Sequence, residues 1–128
     1  MKTRIYYDDT DAGGIVYHVN YLKYCERARS EYFFSRGIAP FEDAKSGFVV
    51  RKAECDFLGR ARLGDMIEIK SYKVASKRVS LELVQEIYKE ETCIFRARLW
   101  LAYIREGKPA RIPERFAEIF DSLPLYES

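Results

Sequence analysis

The chain has 128 residues and a mass of 15.0 kDa, enough for one compact domain that buries roughly two thirds of its unfolded surface, and too short for two. Apolar residues make up 48% and charged residues 33% in nearly equal signs, which excludes a disordered chain and implies a packed core. The net charge of +2 comes from basic residues scattered among acidic ones, so no basic stripe for nucleic acid is present, and no apolar run approaches the ~20 residues of a membrane span.

In chain order, residues 2–7 with Ile5, Tyr6 and Tyr7 predict a short strand, closed by a turn-rich stretch from Asp8 to Gly14. Tyr21, Cys25, Ala28 and Tyr32 recur at helical spacing, Leu22 and Phe33 widen the stripe, and Gly37 supplies a stop. Asn20 suits the N-cap, and Tyr21 and Tyr24 suit core or interface packing. Arg27 and Glu31 are spaced for an ion pair on the polar side. Beyond Pro40 the period changes to two. Ala53, Cys55 and Phe57 alternate with charged residues, and Val79, Leu81, Leu83, Gln85 and Ile87 alternate with Ser80, Glu82, Val84 and Glu86, which predicts half-buried strands. Met66–Val74 is another strand, and Thr92–Ile104, apolar on both faces apart from Arg96 and Arg98, belongs in the middle of the sheet. Turn residues separate the later strands by short gaps, which favours antiparallel neighbours. The stretch "REGKPARIPERF" is a turn, and Pro113 opens a closing helix through Ser122. The layout is α+β, one long helix against an antiparallel sheet of five strands.

Cys25, Cys55 and Cys93 are odd in number and widely spaced within apolar segments, which fits buried reduced thiols and neither disulfides nor a metal set. The N-terminus "MKTRIYYDD" lacks the apolar core of a signal peptide, so the cytoplasm is the expected location.

Chemistry concentrates in one place. "YYDDTDAGGIVYHVNYLKYCERARSEYFF" packs three aspartates, a double glycine and the chain's one histidine in front of the long helix. Tyr7 through His18, followed by Asn20, Tyr21 and "ERAR" at 26–29, resembles the signature of the hotdog-fold acyl-CoA thioesterases of the YbgC and 4-hydroxybenzoyl-CoA thioesterase type. His18, and Ala12 where the second branch usually has Pro, place the resemblance nearer YbgC. It implies a curved sheet wrapped around the long helix, active sites at the interface of paired chains, and further assembly into tetramers. It also implies thioester hydrolysis, with Asp11 matching the catalytic aspartate and His18 and Tyr7 matching a histidine and a tyrosine of the YbgC branch.

The residues suit that chemistry. A carboxylate at Asp11 can act as general base or nucleophile, and backbone N–H groups near Tyr17 and His18, at the positive end of the helix, can hold the oxyanion. Gly13 and Gly14 permit a sharp turn and close approach of substrate. Tyr7 can hydrogen-bond Asp11 or the substrate, and His18 can orient water or donate a proton. Coenzyme A carries phosphates, for which Lys77 with Arg78, Arg60 with Arg62, and Lys108 with Arg111 are available; the first pair, in a strand turn, is the expected rim. Glu26 and Glu31 on the helix are the rival acids. The expected partners are acyl-CoA, with acyl carrier protein as a further donor, and copies of the chain itself; no metal or redox cofactor is expected. Two other functions share the fold: a hydratase or dehydratase, for which the one histidine is out of place, and a non-catalytic acyl-binding module, which would not need Asp11, His18 and the double glycine together.

Overall fold

The computed structural model describes residues 1–127. Its elements run β1 (Lys2–Arg4), a single 3₁₀ turn (Tyr7–Asp9), α1 (Asn20–Phe34), β2 (Phe41–Asp43), β3 (Ser46–Phe57), β4 (Met66–Ser76), β5 (Ser80–Lys89), β6 (Thr92–Arg105), β7 (Lys108–Pro109) and α2 (Glu114–Asp121). One antiparallel sheet carries the order β1-β4-β5-β6-β3-β2, with β7 folded back on β6. It curls as a half-barrel around α1, the hotdog architecture.

The curl has local causes. Register shifts on β3 between Val50 and Lys52, on β4 between Lys73 and Ala75, and on β6 at Ile94, opposite Ile87/Tyr88, are bulges, each of which bends and twists its strand. On the concave face, Ile69, Ile87 and Phe95 stand in one cross-strand row, and Leu83 and Leu99 in another. The helix meets these rows through Tyr21, Tyr24, Cys25 and Ala28; the small Ala28 lets the helix backbone come close. Burying side chains of this size contributes roughly 1.5–3 kcal/mol each, and this seam holds the helix to β4 and β5. After Phe34 the chain reverses through Gly37 at φ +72, while the Ile38 N–H donates to Phe33 O at 3.2 Å. The amphipathic α2 then plugs the far end of the half-barrel, where Phe116 and Phe120 pack on Phe33 and Phe48.

Several expectations need correcting. The first strand ends at Arg4, because Tyr6 and Tyr7 leave it for the 3₁₀ turn and stay exposed. Asn20 is the first residue of α1 and not its cap; its Nδ2 instead donates to Asp9 O at 2.9 Å. Among the described residues Arg27 makes no ion pair with Glu31, and its guanidinium lies over the Tyr24 ring at 6.0 Å. Pro113 caps α2 from outside, so the helix starts at Glu114. Among the described residues the sheet has seven strands, not five, because the short β2 and β7 add to it. Cys25 is buried as expected, but Cys55 and Cys93 are only half-buried. Most unlike expectation is β3. From Val49 to Phe57 only Cys55 is even half-buried, since α1 lies over β4 and β5 and reaches only the Phe57 end of this strand.

Candidate active site

The loop before α1 is sewn in place by backbone bonds. Thr10 bridges Val16 across its neck, Ile15 bridges Arg62, and Leu63 N–H donates to Gly14 O at 2.8 Å. Within it the Gly14 N–H donates to Asp11 O at 3.0 Å, and Gly14 sits at φ +73, a left-handed conformation that an L side chain resists. The Gly13 N–H donates to Asp11 Oδ1 at 2.9 Å, which fixes the carboxylate while leaving it solvent-exposed.

Asp9, two residues earlier, has the opposite fate. It is buried, its Oδ2 accepts from Tyr6 N–H at 3.4 Å, and its Oδ1 lies 3.8 Å from Lys23 Nζ. The Tyr24 hydroxyl faces it, and burial first, then this carboxylate, pushes that phenol well above its usual range. Its backbone oxygen accepts from both Tyr17 N–H at 3.2 Å and Asn20 Nδ2 at 2.9 Å, tying the loop to the helix start. One consequence amends the sequence reading: the Tyr17 N–H is already engaged. Among the described residues the N–H groups of His18 and Val19 have no hydrogen-bond partner. They sit at the positive end of α1, where two free donors can hold a developing oxyanion.

His18 is exposed, its ring 4.5 Å from that of Tyr17 and edge-on to Phe57 at 6.1 Å. Phe57 in turn packs on Tyr21 and Phe95, so the end of β3 forms an apolar wall beside the histidine. The structure thus brings Asp11, Gly13, Gly14, Tyr17 and His18 to one exposed corner, and adds Val19 and Phe57, which no spacing had marked. Tyr7 stands at the same corner, 74% exposed, but neither its hydroxyl nor His18 hydrogen-bonds Asp11. Lys77 and Arg78 lie elsewhere. They occupy the β4–β5 turn, ten residues and about 33 Å along β4 from its start beside this corner. Lys77 lines a cleft of about 440 Å³ with Arg51, Lys52 and Trp100, while Arg78 O accepts from Ile112 N–H at 2.9 Å. Glu26 and Glu31, the rival acids, are solvent-exposed on α1, and Glu26 Oε1 accepts from Ser30 Oγ at 2.9 Å.

The same loop thus carries a carboxylate fixed by a backbone N–H and leads into two free helix donors. The pattern that defines the thioesterase superfamily matches residues 13–93. The chain belongs to this superfamily. Among its relatives, the acyl-CoA thioesterase YbgC of Helicobacter pylori is 37% identical over 96% of this chain and 100% of its own. The acyl-CoA thioester hydrolase YbgC of Escherichia coli is 40% identical over 71% of this chain and 69% of its own. A crystal structure described as a probable thioesterase, from Bartonella henselae, superposes with a TM-score of 0.80 at 33% identity, covering 88% of this chain and 97% of that one. The family match includes Gly13, Gly14 and His18 and begins two residues after Asp11, which the YbgC alignments over nearly the whole chain do reach across. Among the described residues no helix of this thioesterase-superfamily chain is long and apolar enough to cross a membrane, and no group of three or more His, Cys, Asp or Glu is gathered as metal ligands would be.

Proposed function

We infer that the chain is an acyl-CoA thioesterase, hydrolysing the thioester to a free carboxylic acid and coenzyme A. The observation that carries this reading is the Asp11 carboxylate, exposed but oriented by Gly13 N–H, in the loop that leads into the unengaged N–H groups of His18 and Val19. The substrate carbonyl oxygen sits on these two donors, which strengthen their hold as charge develops on it. Asp11 takes a proton from water as the water oxygen bonds to the carbonyl carbon; the C–S bond then breaks and the proton passes to the leaving sulfur. Direct attack by the carboxylate, through an anhydride that water opens, uses the same residues. His18 and Tyr7 border the reacting carbon and act by positioning, because a thiolate leaves with little acid assistance. No metal or redox cofactor takes part.

The site is finished by a second copy of the chain. The uncovered edge of β3, with Val49, Val50 and Phe57 about half exposed, is the surface that a two-fold partner pairs with, and dimers then associate into tetramers. Such pairing also brings the Lys77 and Arg78 turn, remote from Asp11 within one chain, toward the other copy's substrate, where it meets coenzyme phosphates. A cytoplasmic location and acyl carrier protein as an alternative donor complete the proposal.

The test is Asp11→Asn. Asn keeps the Gly13 bond and the turn but can neither accept the proton nor attack, so kcat/KM on the best acyl-CoA should fall ~10²- to 10⁴-fold with unchanged circular dichroism. His18→Ala should cost less. Retention of more than about a tenth of wild-type activity by Asp11→Asn would remove Asp11 from the reaction.

A further inference from the structure

Arg29 is a half-buried cation without an anion. It lies on α1 eleven positions beyond His18, about 16 Å along the helix. Burial draws its guanidinium below the ordinary value, and among the described residues it makes no ion pair. Its side-chain bond, Nη1 to Gln85 Oε1 at 2.8 Å, goes to a neutral amide. That amide is fully buried, and its nitrogen donates to Cys25 O and Ser71 Oγ, both at 3.0 Å, so the oxygen must face Arg29 and the guanidinium is held in place. Glu26, a turn earlier, also borders the cavity described next, but it is exposed and engaged with Ser30 and makes no ion pair with Arg29 among the described residues. A cation withdrawn from water in this way is ordinarily matched by an anion, because the uncompensated charge is costly.

Arg29 also lines a cavity of about 230 Å³ between the end of α1, β3 and α2, walled by Phe33, Phe48, Leu101 and Phe120. A cavity of roughly 150 Å³ holds a benzene ring, so this one has room for a short acyl chain and a polar end group. We propose that it receives the distal end of the acyl group, and that Arg29 selects acyl groups ending in a carboxylate, the mono-thioesters of short dicarboxylic acids. The inference rests on the thioesterase reading and on pairing along β3. An antiparallel two-fold centred near Ala53 sets the Val50 end of one copy opposite the Asp56–Phe57 end of the other, and so brings this cavity to the other copy's Asp11 corner.

The experiment compares adipoyl-CoA with hexanoyl-CoA, equal in length and differing only at the far end. Wild-type kcat/KM should favour adipoyl by about tenfold or more, the range for a charge-assisted bond. Arg29→Met should erase or reverse that ratio, and Arg29→Lys should restore part of it. In parallel, calorimetry of wild type with two non-hydrolysable coenzyme A thioethers, one ending in carboxylate and one in methyl, should show the same preference. A wild type that turns over hexanoyl-CoA as well as or better than adipoyl-CoA overturns the inference and leaves the thioesterase reading standing, whether or not either variant folds. Tighter binding of the carboxylate thioether with no turnover of any acyl-CoA would sink the thioesterase reading and uphold the selectivity of the cavity.

Discussion

Two aspartates two residues apart divide the labour of the corner. Asp9 gives its carboxylate to the interior and its carbonyl to the helix start, and Asp11 keeps its carboxylate in solvent, held only by Gly13 N–H. Gly14 closes the turn that follows Asp11 and sends the chain back toward the helix start. At φ +73 a Cβ is strained by roughly 1 kcal/mol, although the space around it is open, with the nearest atom, Leu63 Cβ, 4.0 Å away. Gly14→Ala is therefore expected to lower Tm by about 4 °C and, because Gly14 N–H holds Asp11 O, to reduce kcat/KM tenfold or more through misplacement. Gly13→Ala is the control: its Cβ would meet Asp11 Oδ1 at 3.5 Å, an ordinary contact, at an unremarkable φ, so its Tm should barely move. Thermal melts and steady-state rates on both variants check this. At this scale the sequence marks Asp11, His18 and the glycines through a joint pattern, but it cannot separate a buried Asp9 from an exposed Asp11, because the difference lies in which one the tertiary packing of Tyr24 and Lys23 covers.

Among the elements, long strands declare themselves and short ones do not. β5 carries ten residues of alternation and β6 fourteen of sustained apolarity, whereas β2 and β7, of three and two residues, fold back in tight hairpins on β3 and β6 and are too short to have a period to read. β2 nonetheless matters. Glu42 accepts from the Tyr103 hydroxyl and, at 2.7 Å, from Arg105 Nη2, and these two partners in that order hold its carboxyl below the ordinary value of 4.5. A carboxyl depressed in the folded state adds stability above its unfolded value and loses it as pH falls through the folded one. Glu42→Gln should thus melt earlier than wild type at pH 7, with the gap closing once the pH drops below about 4.5. A gap independent of pH would show that the contact acts through packing alone. The β4–β5 turn offers a kinetic counterpart. Replacing Lys77 and Arg78 together by Ser should raise KM for acyl-CoA more than it lowers kcat, since phosphate contacts far from the carbonyl bind ground and transition states alike, and added salt should mask the effect. If KM at low ionic strength is unchanged, the coenzyme rim belongs to another basic cluster.

For the whole molecule the decisive asymmetry is between its two sheet edges. Along β4 the edge is covered: β1 pairs with Met66–Glu68, Met1 exchanges backbone bonds with Ile69, and Pro124–Tyr126 run beside Lys73 in parallel. Along β3 it is open beyond the short β2, and Val49, Val50 and Phe57 stand in solvent there. Alternation in β3 was legible in the sequence, but what should cover its apolar members was not, because that depends on surface outside the single chain. Sedimentation at micromolar concentration should find dimers or dimers of dimers and no stable folded monomer; a well-folded monomer would count against the assembly and a shared site alike. The closed edge carries a further consequence for growth. Strand-to-strand addition propagates only when each newcomer presents a second vacant border, as in fibres, and the proposed two-fold contact along β3 would use up the one long border available. Under that pairing, edge-to-edge backbone addition would stop at two chains and would not propagate into cross-β fibrils from the native state.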